Sequence, residues 1–275
     1  IAQMEAEGTE FRTNAIVGGG VDIEVLLASY DAVVLACGAT ERRDLAVPGR
    51  ELVGIHQAME YLPHANRVQM GDMESSPIDV KGKHVVIIGG GDTGADCLGT
   101  ALRQGAASVH QLELLSRPPD SRAAGNPWPE WPKVYKLDYG QEEAKALWGE
   151  DPRRYSTTTK RFIGEDGKLT GVETVRVKWE KDEKGQMKLV EVPGTEATMK
   201  AELVLLAMGF VHPVHEGMIK TLGVELDPRG NVKADASRAT SVPGVFAAGD
   251  MARGQSLIVW AIAEGRTAAR GIDAY

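Results

Sequence analysis

The 275-residue sequence holds only two cysteines, Cys37 and Cys97, and no Cys-x-x-Cys pair. That scarcity excludes a disulfide framework and a two-cysteine exchange motif, and it suits a reducing cytoplasm. No cysteine–histidine cluster has the spacing of a zinc site or an iron–sulfur centre. No apolar run reaches the length of a membrane span, and no signal peptide opens the chain. The net charge is −8 with no basic run to offset it, so neither a nucleic acid nor a membrane is expected as partner. Aromatic residues make up only 5%, but hydrophobic residues reach 43%, an ordinary share for a globular chain long enough for one large domain or two smaller ones.

Glycine, by contrast, is plentiful at 32 residues, and three glycines form the central motif. Val85-Val86-Ile87-Ile88 reads as a buried parallel strand. It runs into Gly89-x-Gly91-x-x-Gly94, a helical stretch from Ala95 to Gln104 and a second strand from Ser108 to Leu115, which is the spacing of a βαβ unit. In this pattern the first glycine allows a tight turn, the second lets backbone approach a pyrophosphate, and the third packs helix against strand. With Asp92 and Thr93 between the glycines, the free N–H groups and positive end of the helix face the phosphates. A bare structural turn is the alternative.

The end of the second strand bears on which nucleotide binds. Ser116, Arg117 and Arg122 suit a 2′-phosphate and favour NADP, whereas Glu113 serves NAD if the strand ends early. A solvated surface role is the plain reading of Arg117. Cys97, near the helix start, is either a thiol with a lowered pKa or a small buried side chain.

Around this unit, Thr9 to Ala15 predicts a short strand and Ile55 to Leu62 a helix. Asn126-Pro127-Trp128-Pro129-Glu130-Trp131-Pro132 predicts a rigid loop packed over the sheet. Thr157–Ile163, Val172–Glu180 and Met187–Val192 alternate like antiparallel strands. Two buried-strand patterns end in small residues and glycine, at Val33 to Gly38 and at Leu203 to Gly209. A third, Val245 to Asp250, delivers Gly249 and Asp250 to a strand end, where ligands bind in open α/β sheets. A helix N-cap is the competing reading of Asp250. Gln255 to Arg270 predicts a helix with little bulk, able to pack tightly, and His212 and His215 read as loop residues rather than a metal pair.

Several stretches together resemble the small (β) subunit of glutamate synthase, within the flavoproteins that carry two dinucleotide-binding domains. They are DAVVLACGATERRDLAVPGR (31–50), the fingerprint at 85–97, LELLSR (112–117), NPWPEWPKVYKLDYGQEE (126–143), TKRFI (159–163), VRVKWEK (175–181), and the runs 203–210 and 245–266. The resemblance implies an α/β fold in which a Rossmann-like NAD(P)H-binding domain (53–213) is inserted in a partial FAD-binding domain (1–52 and 214–275). It implies Gly249 and Asp250 at the FAD, with Gln255, Ser256, Leu257 and Val259 lining the flavin. Gly38, Thr40 and Gly209 would be turns where the domains meet.

It further implies hydride transfer from NAD(P)H to FAD. Electrons then pass to iron–sulfur clusters and to a large (α) subunit that makes L-glutamate. Family members begin with a cysteine-rich iron–sulfur segment and a first glycine fingerprint. Neither is in this sequence, so weak FAD binding is expected beside intact nucleotide binding, with iron–sulfur clusters confined to that segment or the partner. The alternatives are a related reductase serving another acceptor and a nucleotide-binding fragment without turnover.

Overall fold

The run Val85-Val86-Ile87-Ile88 is apolar throughout because it lies at the centre of a sheet covered on both faces. The computed structural model describes all 275 residues, which divide into two compact units, residues 44–209 and residues 1–43 with 210–275. Elements are numbered along the whole chain.

In the 44–209 unit, a five-stranded parallel sheet has the order β2-β10-β3-β4-β5. These strands are β2 (Ile55–Gln57), β3 (His84–Ile88), β4 (Ser108–Leu112), β5 (Arg153–Arg154) and β10 (Leu203–Leu206). Side chains alternate across β3. Val85 and Ile87 pack with helices α3 (Ala58–Gln69), α4 (Asp92–Arg103) and α5 (Tyr139–Trp148) through Tyr61, Leu98, Ala101 and Ala144. Val86 turns to the other face, against Phe162, Leu169 and Val172. Those residues come from an antiparallel sheet of β6 (Thr157–Glu165), β7 (Lys168–Lys181), β8 (Met187–Glu191) and β9 (Ala197–Lys200), the last pairing with β7. Each fully buried valine or isoleucine contributes roughly 1.5–3 kcal/mol. Residues 44–52 belong to this unit because Leu45, Val47 and Leu52 pack on the Phe162 side of the core.

The other unit contains α1 (Ala2–Ala6), α2 (Ile23–Ser29), β1 (Val33–Leu35), α6 (Met218–Leu222), β11 (Val245–Ala247), α7 (Asp250–Arg253) and α8 (Ile258–Asp273). Strands β1 and β11 pair in parallel over a core of Leu35, Ile219, Val224, Val232, Val245 and Met251. No helix is long and apolar enough to cross a membrane.

Several expectations are corrected. Thr9 to Ala15 forms no strand, since this exposed stretch finds no neighbour to complete a ladder. Ile55 to Gln57 is strand rather than helix because it pairs with Val204 to Leu206, a tertiary contact invisible in local periodicity. Helix α3 begins only after Gln57, where Gln57 and Glu60 form a capping box. Strand β4 stops at Leu112 rather than Leu115, because β3 has ended opposite at Ile88 and β5 offers only two residues. Helix α8 starts at Ile258 rather than Gln255, and only Glu264 and Ala268 are buried along it.

Candidate functional site

The glycine motif occupies the carboxyl end of β3. Gly89 has φ +130°, and a Cβ there would collide with the Ala207 carbonyl of the neighbouring strand end. A Cβ on Gly94 would collide with the Gly89 carbonyl, so α4 reaches the turn only because that position is bare. Gly91, the N-cap of α4, has open space where a side chain would stand, and it and Asp92 are exposed. No side chain caps the helix, so its first N–H groups point toward the open turn without a competing carboxylate or hydroxyl.

The turn is held from behind by two buried glutamines that carry no sequence signal of their own. Gln111, fully buried on β4, donates from Nε2 to the Gly89 carbonyl at 2.9 Å. Its Oε1 accepts from Gln141 Nε2 at 2.8 Å, and Gln141 Oε1 in turn accepts from the Asp138 amide at 3.1 Å. Helix α5 comes this close because Gly140 lies against α4, where a Cβ would stand 2.6 Å from the Ala95 carbonyl. Tyr139 donates to Asp96 at 2.5 Å. Burial, then the Asp96 carboxylate, pushes the tyrosine pKa up to about 12, so it remains a donor. The DYGQ run at 138–141 is therefore a brace on the glycine turn.

Beyond Leu112 the chain places Glu113 half-buried beside the turn, where a Cβ on Gly90 would collide with its carboxylate. Ser116 is exposed and borders a different cleft with Arg176, Lys178 and Thr195. Arg117 pairs with Asp120 at 2.6 Å and lies over the Tyr135 ring at 3.8 Å, and Arg122 donates to the Asn126 carbonyl at 3.1 Å. The proline–tryptophan segment is not packed down by its aromatics: Trp128 is 82% and Trp131 75% exposed. Its anchor is Asn126, buried and bonded to Glu130, the Trp131 carbonyl and the Lys133 amide. Cys97 is fully buried, and burial pushes its thiol up to about 12, which overturns a lowered pKa at the helix start.

The second cluster lies in the other unit. A cleft of about 430 Å³ is bordered by Val34, Gly38, Gly249, Asp250, Ser256 and Leu257. Thr40, Gln255 and Val259 are exposed and do not border it, while Gly209, with φ +77°, closes the 44–209 unit just past β10. Asp250 is not an N-cap. It is the first residue of α7 after the Gly249 cap, and its Oδ1 accepts from the Ser256 amide at 3.2 Å and hydroxyl at 3.1 Å.

Glu264 organises this turn and escaped the sequence reading. It is 2% exposed, accepts from the Gly249 amide at 3.0 Å and Arg253 Nε at 2.7 Å, and forms an ion pair with Arg238 Nη2 at 3.0 Å. Its only signal is a carboxylate inside the otherwise apolar run 257–263 and 265. His212 and His215 stack with centroids 4.1 Å apart and each contacts a backbone carbonyl. No group of three or more His, Cys, Asp or Glu side chains is placed to hold a metal ion.

Comparison with known proteins gives this geometry a context. The chain is 53% identical over 99% of its length to a protein of Mycobacterium tuberculosis named glutamate synthase [NADPH] small chain, and spans 55% of that relative. It is 49% identical over 99% of its length to the glutamate synthase [NADH] of Schizosaccharomyces pombe, spanning 13% of it. Among solved structures, Mycobacterium tuberculosis FprA in complex with NADPH shares the fold, with TM-score 0.67 and 19% identity over 95% of this chain and 66% of that one. The pyridine nucleotide-disulphide oxidoreductase family model matches residues 4–131 and 153–265, which take in both the glycine turn after β3 and the Gly249–Asp250 turn, and the chain belongs to that family.

Proposed function

We propose that this chain carries the electron-input step of a glutamate synthase: hydride from NAD(P)H to FAD, then electrons to iron–sulfur clusters and a large subunit that forms L-glutamate. The observation that carries this reading is the 53% identity, across nearly the whole chain, to a glutamate synthase small chain. The names of similar proteins divide between NADPH and NADH, so either nucleotide is compatible with them.

In this reading Gly89, Gly91, Asp92, Thr93 and Gly94 receive the nucleotide diphosphate, with the bare α4 N-terminus supplying N–H donors. The Gln111–Gln141 pair keeps the Gly89 carbonyl turned back into the protein and away from the phosphates. Gly249, Asp250, Ser256 and Leu257 border the cleft that suits a flavin cofactor, lined by small residues that leave room for a planar group. Gly38 borders the same cleft, and Thr40, Gln255, Val259 and Gly209 are assigned to cofactor contact on the resemblance alone. The flavin, when bound, supplies the hydride-accepting chemistry, which explains why no acid–base pair is needed. The protein's own work is to orient the rings at reacting distance and to exclude water.

The test is dye reduction by NADPH and by NADH with added FAD, followed by glutamate formation from 2-oxoglutarate and glutamine in the presence of the large subunit. Dye reduction that yields glutamate only with the large subunit is the expected result. Failure to reduce dye with either nucleotide and FAD in excess refutes the reading.

A further inference from the structure

We propose that the proline–tryptophan segment at 126–136 is a docking edge for a partner protein whose surface offers apolar pockets rimmed by carboxylates. In identifying that partner as the large subunit, the inference rests on the proposed function.

The segment exposes what a folded chain ordinarily covers. Trp128 and Trp131 are each three-quarters or more exposed. Elsewhere the chain shelters its indoles: Trp148 packs against the core around Tyr61 and Leu98, and Trp260 lies under the Arg253 guanidinium. A tryptophan left in water keeps a large apolar area available, and this residue type dominates the binding energy at the centre of protein interfaces.

The two indoles are also held in place. Asn126 is buried, and its Nδ2 donates to the Glu130 carboxylate and to the Trp131 carbonyl while its Oδ1 accepts from the Lys133 amide. One side chain thus ties the segment together on both sides of Trp131, and Pro127, Pro129 and Pro132 restrict the backbone between. A surface fixed before contact loses little conformational entropy on binding.

Charge indicates what the edge fits. Lys133 and Lys136 are exposed and have no carboxylate partner, and Lys136 Nζ lies 5.5 Å from the Trp131 ring centroid. The carboxylate of Glu130 is turned onto Asn126, and Arg117 and Arg153 are already paired with Asp120 and Asp151. Two indoles therefore stand beside two unpaired ammonium groups on a chain whose net charge is −8. Carboxylates around an apolar pocket would attract this edge and be repelled by most of the remaining surface, which selects one orientation. A twofold contact of the segment with its own copy would set lysines against lysines, so the occupant is a different protein.

Surface plasmon resonance of the 275-residue chain over immobilised large subunit measures the contact, with dye reduction by NADPH and added FAD run in parallel. Trp128→Ala combined with Trp131→Ala should weaken binding by at least about thirtyfold. Lys133→Glu combined with Lys136→Glu should weaken it about tenfold and flatten its dependence on salt. Both double variants should leave dye reduction unchanged. Binding by the tryptophan variant within about threefold of wild type overturns the inference, as does no binding by a wild-type chain that reduces dye. A wild-type dimer that the tryptophan variant abolishes overturns it as well, since the occupant is then a second copy. Loss of binding in the tryptophan variant without dye reduction by any form is the failure of the electron-input role alone, and the docking edge stands.

Discussion

Glu264 is the buried charge on which the Gly249–Asp250 turn depends, and its removal has a size that can be worked out. Its carboxylate accepts from one backbone N–H and pairs with two guanidinium groups, and its own side chain is only 3% exposed. Taking away one partner of a buried ion pair costs about 3–5 kcal/mol, because the remaining charges are left without compensation. Here the arginines are 23% and 36% exposed, so water rehydrates them in part and Glu264→Ala belongs near the lower limit, about 3 kcal/mol. Glu264→Gln keeps the volume and an acceptor for Gly249 but loses the charge-assisted bonds, a loss of about 1.5 kcal/mol.

The natural assay is amide hydrogen exchange at Ala247 and Ala248, whose N–H groups bond to the carbonyls of Arg238 and Leu35 beside the turn. At about 1.4 kcal/mol per tenfold, exchange there should accelerate about a hundredfold in the alanine variant and about tenfold in the glutamine variant. Exchange within about threefold of wild type in both variants would show that the arginine pair does not hold the turn, and the reasoning would be wrong.

Other expectations follow from the same structure. Gln141→Leu strands Gln111 Oε1 and the Asp138 amide. It should destabilise the 44–209 unit by about 1–3 kcal/mol and weaken nucleotide binding at the turn, and a thermal melt and nucleotide titration indistinguishable from wild type would contradict the brace. His110, with its buried Nδ1 unpartnered, is held below its ordinary pKa by burial and then by the charge of Arg154. The unfolded chain then takes up a proton near pH 6.5 that the folded chain refuses, so stability should fall as pH drops below about 6.5. His110→Gln should flatten that slope in urea unfolding followed from pH 5 to 7. Finally, Cys97 is buried with its thiol pushed up to about 12 while Cys37 is exposed. A thiol reagent at pH 8 should therefore label one cysteine in the folded chain and two in urea, and rapid labelling of both without urea would count against the buried assignment.

The sequence by itself determined the elements whose signal is local. A β-branched run followed by glycines at fixed spacing admits few conformations, so β3, its turn and α4 were legible, as were the hairpin strands β6 to β8 with their alternation and turn residues. The small-residue turn at Gly249 and Asp250 was legible for the same reason. Tertiary structure decided what depends on a partner far along the chain. Ile55 to Gln57 became strand only because β10 lies beside it, and β4 stopped at Leu112 only because its neighbours ended there. That one early ending moved Glu113 from strand interior to strand end, beside Gly90. Gln111, Gln141 and Glu264 look like ordinary polar residues in sequence. They become structural supports because burial removes water as their partner, and only the folded chain then supplies the backbone and side-chain groups that take water's place.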